Sequence, residues 1–273
     1  MSNSNPIGIF DSGIGGLTVV KKISSILPSE NIVYFGDTAR VPYGTKSNDT
    51  VIEYALQDAA YLLTHNVKMI IVACNTASSV ALPVLKERFD VPVIGMIDPG
   101  AKLAIETSRS GKIGVIGTNA TINNKAYSAE LLKHNGSLEV YEKACPLFVP
   151  LAEEGWIDHE ATKLIADEYL HELKEKQIDT LILGCTHYPI LAGVIGESVG
   201  ENVELIDSGV AAALVVQKYL EDQNLLNNQA GKGKIDFYVS DLSSKFEEIA
   251  GRFLGNPVGE IKKIDVDELV KLI

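Results

Sequence analysis

Two of the three cysteines in this 273-residue chain end continuous apolar runs, Cys74 after KMIIVA (68–73) and Cys185 after TLILG (180–184). A sulfur acid at the end of a buried strand is placed to exchange protons with a bound molecule. Two of them facing one carbon would do something specific: one group removes a proton from one face of a stereocentre while the other returns a proton to the opposite face. Each thiol then serves as base or acid according to the hand of the substrate. Two other readings compete. Cysteine is among the residues most often buried for packing alone. A structural zinc on Cys185 and His187 would need four ligands, and no second closely spaced Cys/His pair is present.

The residues around the two thiols carry the chemistry further. Asn75 and Thr76 follow Cys74, and Thr186 and His187 follow Cys185. Both pairs supply neutral donors for a carboxylate beside a helix start, where free N–H groups also favour an anion and draw a thiol's pKa downward. If the chain is still extended at 185–187, His187 shares a face with Cys185, where it would relay protons or hold the thiolate; otherwise it is a capping histidine. In FDSGIGGL (10–17), Gly13, Gly15 and Gly16 let backbone approach a ligand, with Asp11 and Ser12 beside them. Asp11 either orients a substrate ammonium, assists Cys74, or simply caps the helix. Pro42, Tyr43 and Gly44 in FGDTARVPYG (35–44) shape a pocket wall or an ordinary turn. The glycine spacing is not that of a dinucleotide loop. None of the arginines at 40, 88, 109 and 252 falls in the cysteine motifs or the glycine loop, so neutral donors rather than guanidinium clamps are expected to bind substrate carboxylates. Replacing Arg40 should then matter less to activity than replacing Thr186. Cys145 has no counterpart elsewhere in the chain and reads as structural.

These residues must be held by strands. The continuous apolar runs 7–10, 31–35, 68–73, 92–97, 112–117, 180–184, 202–206 and 235–239 read as buried parallel strands, with amphipathic stretches such as 50–65, 120–134 and 160–176 between them. Alternation of this kind specifies an α/β fold with helices on both faces of mainly parallel sheets. The pattern also repeats. IIVACNTAS returns as LILGCTHYP, and the next strand ends in Asp98-Pro-Gly in one case and Asp207-Ser-Gly in the other. Cys185 follows Cys74 by 111 residues (185 − 74), and Asp207 follows Asp98 by 109 (207 − 98). Two similar lobes follow, residues 1–98 with 207–273 carrying Cys74 and residues 99–206 carrying Cys185, with the active site in the interlobe cleft at the carboxyl ends of the strands. The segment 227–234 reads as a polar surface loop.

With 46% apolar and 22% charged residues the composition is that of an ordinary globular protein. The net charge of −12 disfavours a grip on nucleic acid. No leader pattern opens the chain and no apolar run is long enough to span a bilayer, so no membrane association and a cytoplasmic location are expected. An odd set of three cysteines in a reducing compartment argues for free thiols.

Taken together, FDSGIGG, GDTARVPYG, ACNTAS, CPLFVPLAEEG and GCTHYP resemble, in order, the motifs of the glutamate racemases within the aspartate/glutamate racemase superfamily, over about residues 7–208. The resemblance implies cofactor-independent interconversion of L- and D-glutamate, with Cys74 and Cys185 as the acid–base pair, Asp11 beside the first thiol, His187 beside the second, and Glu153 as a carboxylate assisting there. It also implies substrate contacts at Asp11, Ser12, Pro42, Tyr43, Gly44, Asn75, Thr76, Thr118, Thr121, Thr186 and His187. No metal or other cofactor, a homodimer, and a role in supplying D-glutamate for peptidoglycan are implied as well.

Overall fold

The computed structural model describes residues 4–273; the first three residues of the segment read above for a leader lie outside it. Ten strands are described: β1 (Ile7–Asp11), β2 (Ile32–Gly36), β3 (Met69–Val72), β4 (Val93–Ile94), β5 (Lys112–Gly117), β6 (Glu139–Ala144), β7 (Thr180–Gly184), β8 (Glu204–Asp207), β9 (Ile235–Val239) and β10 (Ile261–Lys263). They form two parallel sheets, one ordered β10-β9-β2-β1-β3-β4 and the other β6-β5-β7-β8. The internal repeat is visible in this order: β2-β1-β3-β4 runs as β6-β5-β7-β8 does, and β9 and β10 extend the first sheet beyond β2. Ile7 is paired with both Ile32 and Met69, while Ile113 is paired with Val140 and Thr180.

Of the strands that read as continuous apolar runs, β1, β2, β3 and β7 are buried throughout, which is why their sequences do not alternate, whereas β8 and β9 are partly exposed. One apolar cluster spans both sheets, running from Ile9 and Ile71 through Leu17 and Val20 of the helix Leu17–Ile26 to Leu181, Leu183 and Tyr188. The helix Ser208–Asp222 packs against Leu17–Ile26, and Gly209 lies against Val19.

Several local expectations are corrected. Only Val93–Ile94 of the run 92–97 forms a strand, and Asp98 does not end it in a turn: Asp98 lies in the first turn of the helix Ile97–Thr107, where it pairs with Lys102 and His134. Asp207, its counterpart by spacing, caps the helix Ser208–Asp222 by accepting from the backbone N–H groups of Gly209 and Val210. The stretch 120–134 is two helices, Asn119–Asn123 and Ala126–His134, broken by Lys125 at a φ of 54°. The strands β6 and β10 fall outside the apolar runs. β6 is an edge strand, half-buried or exposed along its length, with Glu139, Glu142 and Lys143 interrupting its apolar positions. Residues 227–234 form no helix or strand, as read.

Candidate active site

β3 and β7 occupy equivalent places in their sheets, so the residues that follow them leave at equivalent carboxyl ends. Cys74 and Cys185 line one cavity of about 170 Å³ there, together with Ser12, Pro42, Tyr43, Gly44, Asn75, Thr76, Thr118, Thr186 and His187. Of the expected site residues, Asp11, Thr121 and Glu153 stand behind this lining rather than in it. Val41, Thr45, Asn119, Pro146, Val149, Pro150 and Gly184 also line the cavity, and residue type and spacing single out none of them for the site. The apolar wall of Pro146, Val149 and Pro150 is nevertheless within reach of the sequence, because it lies in the CPLFVP motif around Cys145. Cys145 itself is fully buried, with its sulfur 3.7 Å from the carbonyl of Lys143. All three cysteines are free.

The two thiols have different surroundings. Cys74 is the N-cap of the helix Asn75–Val80, and its sulfur accepts from the Ala77 N–H at 3.5 Å. Burial nevertheless pushes this thiol up to about 12, with nearby Asp11 adding to the shift and the bonds from Ser12 and Ala77 opposing it. The downward shift expected at a helix start is thus outweighed, because losing hydration penalises the thiolate more than two donors stabilise it. Asp11 is fully buried and its own pKa is raised by that burial, against the opposing charge of His187. It does not cap the following helix, whose N-cap is Gly16; its Oδ2 accepts from the Gly13 N–H at 3.0 Å, closing the glycine turn, and its Oδ1 lies 3.4 Å from the Thr186 hydroxyl.

Cys185 faces a histidine. The chain has already turned at His187 (φ −79°, ψ −31°), so an extended segment is not what brings the two together; the turn itself sets Nδ1 3.8 Å from the Cys185 sulfur. The opposite nitrogen, Nε2, lies 2.8 Å from Glu153 Oε1. Burial works against a charged imidazole here, but the sulfur on one side and the carboxylate on the other more than compensate, and His187 is pushed up to about 10. Its ring packs edge-on against Phe253, centroids 5.2 Å apart. The glycine loop comes close enough that a methyl group at Gly15 would collide with the Thr186 hydroxyl and the His187 ring. The Thr18 hydroxyl, from the same helix start, donates to the carbonyl of Thr186 at 2.9 Å.

The remaining polar groups near the cavity are held by hydrogen bonds among themselves. Asn75 accepts at Oδ1 from the Tyr127 hydroxyl (2.7 Å) and the Ser208 hydroxyl (3.4 Å), which fixes the amide's orientation; its buried Nδ2 has no partner among the described residues. An unsatisfied buried donor is costly, and a ligand oxygen would satisfy this one. Thr76, Thr118 and Thr121 form a triangle of hydroxyls at 2.9, 3.1 and 3.0 Å that ties the two halves together. Tyr43 lines the cavity, as the reading of residues 42–44 as a pocket wall expects, but its hydroxyl is engaged elsewhere. Its hydroxyl turns away from the cavity to Asp37 (2.5 Å) and Asp58 (2.9 Å). Arg40 belongs to the same buried group, bonding Asp37, Asp58 and Gln57 and lying outside the cavity lining.

Among the described residues, the His, Cys and acid side chains whose ligand atoms converge are Asp98, Glu130 and His134. The two carboxylates already bind Lys102 and Lys133. No helix of the described residues is long and apolar enough to cross a membrane.

This geometry has close relatives. A family model described as Asp/Glu/Hydantoin racemase matches residues 7–216. A glutamate racemase of Chlorobaculum tepidum is 51% identical over 265 residues, covering 97% of this chain and 97% of that one. Among solved structures, a glutamate racemase from Francisella tularensis in complex with D-glutamate superposes with a TM-score of 0.91 at 42% identity, covering 97% of this chain and 99% of its own. A glutamate racemase isoform from Bacillus anthracis gives a TM-score of 0.93 at 38% identity, with 97% and 98% covered.

Proposed function

The chain belongs to the Asp/Glu/Hydantoin racemase family and is an amino-acid racemase, an isomerase, and from that premise we propose that it interconverts L- and D-glutamate with Cys74 and Cys185 as its two proton-transfer groups. The observation that carries the assignment of roles is that one thiol from each sheet lines the same cavity. The reaction moves a proton and no net electrons, so side chains of the chain suffice for it. The sulfur on one face takes the Cα proton as the C–H bond breaks, the carbanion forms, and the thiol on the other face delivers its proton to make the new C–H bond. Cys185 exchanges its proton beside a cationic His187 that Glu153 orients; Cys74 exchanges its proton beside Ser12 and Asp11. The free amide of Asn75 and the hydroxyls of Thr76, Thr118 and Thr186 bind carboxylate oxygens, with Thr121 behind them holding the hydroxyls of Thr76 and Thr118, while Pro42, Tyr43 and Gly44 form the facing wall.

The division into 1–98 with 207–273 and 99–206 belongs to this reading, supported by the strand membership of the two sheets. So do a cytoplasmic location, which rests on the reading of the sequence, and a homodimer and the supply of D-glutamate for peptidoglycan, which rest on the family resemblance.

Incubation with L-glutamate in D₂O in the presence of a chelator tests the reading. Wild type and Cys145→Ser should form D-glutamate carrying deuterium at Cα, and Cys74→Ala and Cys185→Ala should not. Aspartate is the comparison substrate, expected to turn over far more slowly. Binding of glutamate by wild type without exchange of the Cα hydrogen would overturn the proposal.

A further inference from the structure

The helix Phe246–Leu254 lies between β9 and β10 and so belongs to the elements of the first sheet, yet it reaches the backbone of Glu153, the residue whose carboxylate meets His187 beside the thiol of the second. Glu153 is the last residue of the short helix Phe148–Glu153; the carbonyls before its own accept from the backbone N–H groups of residues 154–156, and its own has no partner within the helix. Arg252 supplies one: its Nη1 donates to the carbonyl of Glu153 at 2.7 Å and lies 3.4 Å from that of Ala152. The guanidinium is spread over Gly155, which has a φ of 74°; a Cβ there would stand 2.7 Å from the Arg252 Cζ. The next residue, Phe253, is fully buried against the His187 ring. One helix therefore fixes the backbone of the carboxylate and the face of the imidazole at the same time. On its outer side Arg252 pairs with the exposed Glu248, at 3.1 Å.

We propose that Arg252 is a positioning residue for proton transfer at Cys185, holding Glu153 where its carboxylate meets His187 and leaving the Cys74 half untouched. The inference rests on the two-thiol reading above and deepens it by assigning a residue 67 positions from Cys185 (252 − 185) to one of the two transfers. A cationic hydrogen bond to a backbone carbonyl transmitted through one carboxylate gives the scale of the effect, about tenfold in kcat, or ~1.4 kcal/mol.

The experiment compares wild type, Arg252→Gln, Arg252→Lys and Glu248→Gln with α-deuterated L-glutamate and α-deuterated D-glutamate as separate substrates. Arg252→Gln should lower kcat about tenfold with KM changed less than about twofold, and Arg252→Lys should recover most of the loss. The two substrate isotope effects should move apart, the larger one belonging to the antipode whose proton Cys185 removes, because slowing one transfer makes that step more limiting and the other less so. Glu248→Gln should behave as wild type. Equal isotope effects for both antipodes in Arg252→Gln, a loss carried in KM, or no recovery by lysine would show a structural role only and overturn the proposal. A wild type that does not racemise would instead sink the two-thiol reading, so the two failures are distinct.

Discussion

Replacing Tyr43 with phenylalanine should cost stability in a pH-dependent way, and the structure sets both the size and the sign. The Tyr43 hydroxyl offers one proton to two buried carboxylates, Asp37 at 2.5 Å and Asp58 at 2.9 Å, with Arg40 as the nearby cation. Hydrogen bonds to charged groups contribute about 1.5 to 3 kcal/mol each, so Tyr43→Phe should lose about 2 kcal/mol near pH 8.5. In a chain of this size that lowers Tm by about 4 to 8 °C. The sign follows from Asp58, whose carboxyl is held well above the ordinary carboxylate range by burial first and the charge of Asp37 second, with Arg40 and the Tyr43 hydroxyl opposing. Because its folded pKa is raised, the native state binds the proton more tightly than the unfolded chain, and stability falls as pH rises from the unfolded value towards the folded one. Removing the hydroxyl raises the folded pKa further, so the mutant's loss grows with pH. Urea unfolding of both proteins at pH 5 and pH 8.5 measures it. A loss equal at the two values, or larger at pH 5, refutes the reasoning. Since Tyr43 and Gly44 line the cavity, KM for glutamate should rise severalfold in the same variant, with kcat less affected.

The alkaline limb of the pH–rate profile should reflect His187, held up to about 10 by the Cys185 sulfur and Glu153 against burial; Glu153→Gln removes the carboxylate's share and should move the limb to lower pH, and an unmoved limb would rule out His187 as its source. Tyr127→Phe takes away the 2.7 Å bond that orients the Asn75 amide and should raise KM about fivefold, a change of ~1 kcal/mol, with kcat nearly constant in steady-state assays. Lys68 and Glu30 form a fully buried pair at 2.5 Å, with Lys68 also donating to the Leu225 carbonyl, so Lys68→Met should cost about 3 to 5 kcal/mol by chemical denaturation while Lys68→Met/Glu30→Gln costs less. A double variant as unstable as the single one would count against an uncompensated charge as the cause.

The two thiol positions were legible because each follows a strand buried on both faces, and such strands announce themselves as unbroken apolar runs. Much of the rest of the site depends on contacts that sequence spacing cannot encode. Tyr43 reads as a wall residue, but the direction of its hydroxyl is set by Asp58, on a different element 15 residues away, and by Asp37. Arg40 stands apart from the glycine and cysteine motifs and indeed lies outside the cavity, yet it holds the group that supports the cavity's wall. The helix start at Cys74 correctly suggests a sulfur facing free N–H groups, while the opposing effect of burial emerges only from the packed surroundings. β6 escaped notice because an edge strand tolerates charges on its open side, and Asp98 was matched to Asp207 by spacing although one begins inside a helix and the other caps one.

The order of the first sheet has a consequence for how the molecule is made. β2 is flanked on one side by β9, which leaves the ribosome some 200 residues after it: Ile32 pairs with Ile235 and Gly36 with Val239. Until translation reaches that point, an apolar strand carries a row of unpaired backbone groups, open to any extended segment of a neighbouring nascent chain. The late pairing of β2 is thus a hazard of synthesis that the stability of the finished fold does not remove.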